Sequence, residues 1–246
     1  MDNINFKVCK PTTIHRLAAF LIDAILFVIL FTGALYLISL IFDFDTHYSI
    51  LQEEYKKVGY LIFNEEAKKW EFLSQNAPNY AEVSKLVTEN DIIMEELFFV
   101  NSFSVKSPLA AIAIVLVITE FIIPLILRNG QTVGMKIFSI GLISNSGIAI
   151  NPIQLFARCF IGKIAVLGII PALGILYIFL NATGGLLGSL IVLIIYGINL
   201  FLLLKSKNNT GIQDLIANVI PVNAKETIFY KTAKELKEAN NVIKRK

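Results

Sequence analysis

The sequence predicts an all-α polytopic membrane protein. It has four transmembrane helices, an extracytoplasmic helical hairpin between the first two, and a small cytoplasmic β-hairpin with an interfacial helix between the second and third. Three observations carry this expectation. Of 246 residues, 55% are hydrophobic and the mean hydropathy is +0.67, above the roughly 45–50% apolar content of soluble domains. Four runs, 17–42, 109–127, 164–182 and 186–204, each satisfy the need for about 20 mostly apolar residues to cross ~30 Å of hydrocarbon. The charges between the runs are sorted by sign.

The N-terminal segment, 1–16, carries Lys7, Lys10 and Arg16. The first run is interrupted only by Asp23 and is followed by no Ala-x-Ala-like cleavage site, so it is expected to stay as an anchor and not to be removed as a secretory signal. Segment 43–108 holds six lysines against twelve Asp and Glu. The connection 128–163 holds Arg128, Lys136, Arg158 and Lys163 with no acid, the turn 181–185 has no charge, and the tail 205–246 has nine basic residues against four acidic ones. The positive-inside rule places 1–16, 128–163 and 205–246 in the cytoplasm and the other segments outside. A plasma-membrane protein with both termini cytoplasmic is expected.

In the outer segment Tyr48, Leu51, Tyr55, Val58 and Ile62 step by three and four, and Tyr80, Val83, Val87, Met94 and Leu97 do much the same after a break at Asn76-Ala77-Pro78-Asn79. Two helices follow, with Glu53 before Lys57 and Glu65 before Lys69 as exposed i, i+4 pairs. This segment reads as a solvated acidic cap, or as a docking site for an extracellular partner or cation. Asp43-Phe44-Asp45 has the DxD spacing of some metal-dependent glycosyltransferases, but it stands alone.

The cytoplasmic connection is different. A β-branched run after Lys136, the turn Asn145-Ser146-Gly147 and a second short apolar run suggest the β-hairpin. Asn151 before Pro152 is a helix start, with an amide cap and proline at the first helical position. Ile153, Leu155, Phe156, Phe160 and Ile161, with Arg158 and Lys163 among them, then form an amphipathic interfacial helix. GQTVGMK lacks the Gly-x4-Gly-Lys-Ser/Thr spacing of a phosphate loop. In the tail, Phe229, Leu236 and Ile243 recur every seven residues among lysines, as in a basic helix lying on an anionic leaflet or holding a partner.

Three stretches together resemble the RDD family of bacterial membrane proteins, named for one arginine and two aspartates: Arg16 with Asp23 in the first span, GQTVG with Lys136 after the second, and GIQDLIANVIPV after the last. The resemblance implies that the arginine is Arg16, the aspartates are Asp23 and Asp214, and the glycine-glutamine-threonine segment is Gly130, Gln131, Thr132 and Gly134. The chain has Asn218 and Val219 where the family usually has Gly-Thr, and its outer segment is long. Cation/proton antiport has been proposed for some members.

Physical chemistry sharpens those positions. Asp23 lies ~10 Å along the helix from Arg16 and within ~20° of the same face. An ionised carboxylate in hydrocarbon costs about 2.5–3.5 kcal/mol on insertion scales, so it should face other helices and find a partner. Candidates for Asp23 are Arg16 through a water, Arg158, Lys163 and Asn199, and Arg16 is the natural partner of Asp214. Glu120 is a second acid inside a span, four residues before Pro124, which cannot donate to the Glu120 carbonyl. A carboxylate beside a freed carbonyl suits a cation site in a broken helix. The plain alternative is a protonated glutamate at a proline kink.

Two functions remain open. One is an exchanger coupling Na⁺ or K⁺ to H⁺ through Asp23 and Glu120, working as a homodimer because four spans are few and no inverted repeat is found. The other is a non-catalytic scaffold or accessory subunit that binds a membrane partner protein, its charges clamping helices together. No catalytic constellation, cofactor motif, metal-ligand set or nucleic-acid signature is found. Cys9 and Cys159 read as free thiols, and His15 and His47 as interfacial residues. Gly184, Gly185, Gly188 and Ser189 suit tight helix packing, and Gly168, Pro171 and Gly174 should loosen the third span.

Overall fold

The computed structural model describes residues 9–127, 129–180, 185–206 and 208–244. Lys7, Arg128, Lys207 and the 181–184 part of the expected turn, with Gly184, lie outside the described residues. Four helices are long and apolar enough to cross a membrane: Thr13–Ile41, Asp91–Ile126, Pro152–Ile175 and Leu187–Lys205. In chain order the elements are α1 (Thr13–Ile41), α2 (Phe44–Lys57), β1 (Leu61–Asn64), β2 (Lys69–Phe72), α3 (Tyr80–Glu89) and α4 (Asp91–Val117), which runs through a π-helical turn into α5 (Ile123–Ile126). Then come α6 (Val133–Ile137), β3 (Ile140–Ser144), α7 (Pro152–Phe156), which runs through a long π-helical segment into α8 (Ile170–Leu180), α9 (Gly185–Lys205), α10 (Ile212–Ile216), β4 (Val219–Asn223) and α11 (Ala233–Lys244). The spanning helices are apolar all round, as helices facing lipid are. On α1, Leu17, Phe20, Leu21, Ile25 and Ile29 are exposed, and Ala19 is buried.

The second span starts at Asp91, well before the expected Leu109. The Asn90 side chain accepts from the Ile93 N–H at 3.1 Å and opens the helix there, and Pro108 is carried inside it. The break expected at Pro124 is a π-helical turn, Ile118–Ile122. A second π-helical segment, Ala157–Ile169, ends two residues before Pro171. Such wide turns re-register a helix around a missing donor, and they recur at functional positions.

The chain divides into two compact units, one built from residues up to Val28 and from Val115 onward, the other from Ile29–Ile114. The 29–114 unit replaces the expected helical hairpin with mixed structure. Gly59, at φ +74°, follows α2, and β1 pairs antiparallel with β2 through a turn that holds Lys68 at φ +52°. Aromatic and β-branched residues explain the strands: Phe63 and Trp70 are cross-strand partners, their rings 5.4 Å apart. Glu65 therefore lies in a turn and meets Lys68 at 3.1 Å, and Lys57 meets Glu54, not Glu53. Val83 and Val87 belong to α3, whereas Met94 and Leu97 belong to α4. Leu51, Tyr55, Leu61, Val87 and Ile93 form the core of this unit. Asp43 and Asp45 of the DxD stretch serve α2: Asp43 accepts from the Thr46 hydroxyl and the Asp45 carbonyl accepts from the Ser49 hydroxyl.

In the other unit the expected β-hairpin is corrected. The Asn145-Ser146-Gly147 turn forms, with Gly147 at φ +83°, but the second run makes only a single bridge to β3, Ala149 to Ile143, while Ile148 bridges Tyr230. The full-length partner of β3 is β4, antiparallel, with Leu142 opposite Pro221. β4 wins because Val219, Ile220 and Val222 are apolar and buried, and they complete cores with Ala19, Met135, Ile140, Leu142 and Ala217 and with Ile143. Phe229 precedes α11 and packs on Ile143, Ile220 and Val222, so the expected sevenfold helix begins only at Ala233. Leu236 is buried, and the side chain of Ile243 lies outside the described residues.

α6 with β3 and α10 with β4 are one motif built twice. Each is a five-residue helix, a residue at positive φ (Ser139 at +55°, Asn218 at +53°) and a five-residue strand, in unbroken register. The residues before the helices match as well, Thr132 at φ −73°, ψ 173° and Gly211 at φ −89°, ψ 176°. Further back, Gly130 at φ +62° matches Asn209 at +51°. Beyond the ladder the Asn145 N–H donates to the Asn218 carbonyl and the Ala224 N–H donates to the Ser139 carbonyl. These are equivalent bonds seen from the two copies, so a local two-fold axis runs through the Leu142/Pro221 pair. Each copy follows a long apolar helix, α6 the second of the four and α10 the fourth.

Candidate functional site

Arg16, Ala19 and Asp23 follow one another by three and four along α1 and share one face, which is how the first span serves both copies of the motif. At the upper end of this stripe in sequence, Asp23 meets α6. Its Oδ2 accepts from the Thr132 hydroxyl at 2.5 Å and its Oδ1 accepts from the Gly134 N–H at 2.8 Å. Thr132 in turn accepts from the Met135 N–H at 3.2 Å, capping the helix with one lone pair and giving its proton to the carboxylate. Gly134 is required by packing, since a Cβ there would lie 2.1 Å from the Ala19 carbonyl oxygen and 3.0 Å from the Asp23 Cγ. Gly130 supplies a positive φ, and the Gln131 amide donates to the Ile140 carbonyl at 2.9 Å. Lys136, on the far side of α6, is exposed.

The expected partners of Asp23, namely Arg16, Arg158, Lys163 and Asn199, are thus replaced by the hydroxyl and amide of the GQTVG segment. Neutral donors suffice because the carboxylate sits at the first turn of a helix, where unpaired N–H groups and the helix dipole favour negative charge. Asn199 caps the other motif helix: its Oδ1 accepts from the Ile212 N–H at 2.9 Å.

Asp214 is fully buried in α10. Arg16 Nη2 donates to its Oδ2 at 3.0 Å and Arg158 Nε to its Oδ1 at 2.8 Å, and the Gly211 N–H adds a third bond at 3.1 Å. Arg158 is therefore no interfacial cation; it is 4% exposed. Burial is the largest influence on the Asp214 carboxyl and pushes it up, but Arg158, Arg16 and the hydrogen bonds together hold it below the ordinary carboxylate range. α10 packs against the third span at Gly162, where a Cβ would lie 2.6 Å from the Gln213 Cα.

Glu120 and Lys163 form a third centre. Lys163 Nζ donates to Glu120 Oε2, from one π-helical segment to the other. The side chains are 15% and 24% exposed, so the pair is neither sealed nor free in solvent. Glu120 also feels the charges of Arg158 and Asp214, and Asp23 feels those of Glu120 and Lys163, which joins the three centres electrostatically. The sequence alone gives Glu120 no counter-ion; the acid-free stretch holding Arg158 and Lys163 is the available signal. Elsewhere, His15 lies 5.9 Å from the Phe138 ring, and His47 meets Glu96 at 2.7 Å and stacks on Phe99. Among the described residues no group of three His, Cys, Asp or Glu could hold a metal ion.

Long apolar helices with matched acids and bases in their interior define a multi-pass integral membrane protein. Its charges are arranged to meet one another and the ends of two short helices. The chain belongs to the RDD family, whose model matches residues 10–218. No curated protein and no solved structure matches it.

Proposed function

We propose that the protein is an exchanger, not an enzyme, which moves a monovalent cation, Na⁺ or K⁺, against H⁺ across the plasma membrane, with Glu120 and Lys163 at its centre and both termini cytoplasmic. The observation that carries this reading is the Glu120–Lys163 pair itself. A pair of charges within a helix bundle is expensive to desolvate, and apolar side chains of similar size often serve stability as well or better. Its two members also sit on π-helical segments, which recur at functional positions. Asp23, bonded to neutral donors and close enough to feel both charges, supports the site by fixing α6.

The test is flux in proteoliposomes under imposed Na⁺, K⁺ and pH gradients. Wild-type vesicles should exchange faster than empty ones, and E120Q should fall to the empty-vesicle rate. No difference between wild-type and empty vesicles under any gradient ends this reading. It would leave the second one, a scaffold or accessory subunit, which is favoured by the 29–114 unit: that unit has its own core and exposes Ile62, Phe63, Trp70 and Phe72 on one hairpin.

A further inference from the structure

The duplicated motif divides the first-named unit into two halves, one ending in β3 and one ending in β4. The first half contributes Arg16, Asp23 and Glu120, and the second contributes Arg158, Lys163 and Asp214. The polar contacts then sort by whether they cross the seam. Asp23 with Thr132 and Gly134 stays within the first half, and Arg158 with Asp214 stays within the second. Arg16 with Asp214, Glu120 with Lys163, and the β3–β4 ladder all cross. The halves share one sheet, two ion pairs, a hydrogen bond from Gln154 to Ser144 and an apolar core.

The two crossing pairs are not alike. Asp214 keeps Arg158 and the Gly211 amide when Arg16 is disregarded, and its side chain is fully buried. Among the described residues Glu120 has Lys163 alone as a hydrogen-bond partner, and both side chains retain some exposure. An ammonium on a four-carbon stem is a compact point charge with rotatable donors, unlike the planar fork of a guanidinium. It can leave a carboxylate and return without repacking its helix. In repeat-built transporters, substrate sites lie between the repeats. The Glu120 carboxylate lies there, with a cation already on it that belongs to the chain.

We infer that the seam between the two halves is a monovalent-cation site built on the Glu120 carboxylate, in which the Lys163 ammonium is a resident counter-ion that an entering Na⁺ or K⁺ displaces. The ligand class rests on the exchanger reading above; the site rests on the geometry. Displacement conserves charge at the carboxylate: one cation arrives, and the ammonium swings away still protonated or after losing its proton to water. Competition by a tethered cation keeps affinity low, so removing the tether raises it.

The experiment is thermal unfolding of the purified full-length protein in detergent, titrated with NaCl or KCl against choline chloride at constant ionic strength. K163Q should show a saturable stabilisation by an alkali cation, with a midpoint at least tenfold lower in concentration than wild type. E120Q/K163Q should show none. An identical response of K163Q to alkali and choline salts overturns the inference. Should K163Q fail to fold, wild type supplies the measurement: the rate of Lys163 acetylation by acetic anhydride, read by mass spectrometry, should rise with the alkali cation relative to choline. An unchanged rate overturns the inference. Cation-dependent stabilisation of K163Q with no flux in wild-type vesicles supports the site and removes the transporter. Flux with no such stabilisation does the reverse.

Discussion

The two signature aspartates stand at equivalent places and are satisfied in opposite ways. Each answers the first turn of one motif helix. Asp23 does so from another element, reaching from α1 to the Thr132 hydroxyl and the Gly134 amide, while Asp214 does so from within α10, accepting from its own Gly211. Two guanidiniums then surround Asp214, and among the described residues none bonds Asp23. The difference teaches that one requirement, a carboxylate at a short helix's start, has been met once by packing and once by charge. The packed solution needs a glycine and a threonine; the charged one needs arginines.

The comparison predicts unequal sensitivity. D214N should be the most damaging single change, because it leaves Arg158 and Arg16 buried without the carboxylate they bond, a situation that typically costs about 3–5 kcal/mol. Unfolding by denaturant in detergent micelles, against wild type, measures it, and a loss under about 1 kcal/mol would put the pair in the class of weak surface bridges. The same carboxylate gives a sign for pH. Its folded pKa is depressed, so its stabilising contribution is complete above the ordinary carboxylate value of about 4 and is lost as pH falls through the lower folded value. Wild type should therefore lose stability on acidification through and below that region, and D214N should lack this component.

G134A attacks the packed solution. Its Cβ would meet a backbone oxygen of α1, which cannot move aside as a side-chain tip does, and a cost of about 1–3 kcal/mol or more is expected. Cysteine cross-linking of α1 to α6, at residues flanking the contact, should weaken in parallel. T132V, which deletes both the cap and the donor to Asp23, should cost about 1–2 kcal/mol, and T132S should restore most of it. A T132S protein no more stable than T132V would show that the hydroxyl is not the active part. K136Q is the smallest: the side chain is exposed, and its effect should stay within about 0.5 kcal/mol.

The sequence made the spans legible because twenty apolar residues in a row have few other uses, and it located Arg16, Asp23, Asp214 and the GQTVG segment. The Asn151-Pro152 helix start was also readable, since cap chemistry is local; Gln154 completes it by donating its backbone N–H to Asn151 and accepting from it. Contacts between distant segments were not. Nothing near Asp23 announces Thr132, and β3 looks like half of a local hairpin because its turn does form, while its true partner lies past two further spans. The repeat is invisible in the sequence for a related reason. Gly130 and Asn209 share a positive φ, and Thr132 and Gly211 share φ and ψ, but the side chains differ, so the likeness lives in the backbone. Charges could be counted along the chain, but the pairing of Glu120 with Lys163 depends on how two wide-wound helices face each other.

The sheet that joins the two copies also dictates an order of assembly. Once residues up to Ser144 have emerged from the ribosome, Asp23 has Thr132 and Gly134 available, so the first span and α6 can dock at once. β3, by contrast, still presents an unpaired edge, and Arg16 waits without its carboxylate until Asp214 emerges. Completion of the last stretch closes both vacancies together. A chain stalled or cut before Val219 carries an open strand edge into the cell, and one cut before Asp214 carries two orphaned guanidiniums as well. The C-terminal segment therefore supplies both the missing strand and the carboxylate that the two arginines share.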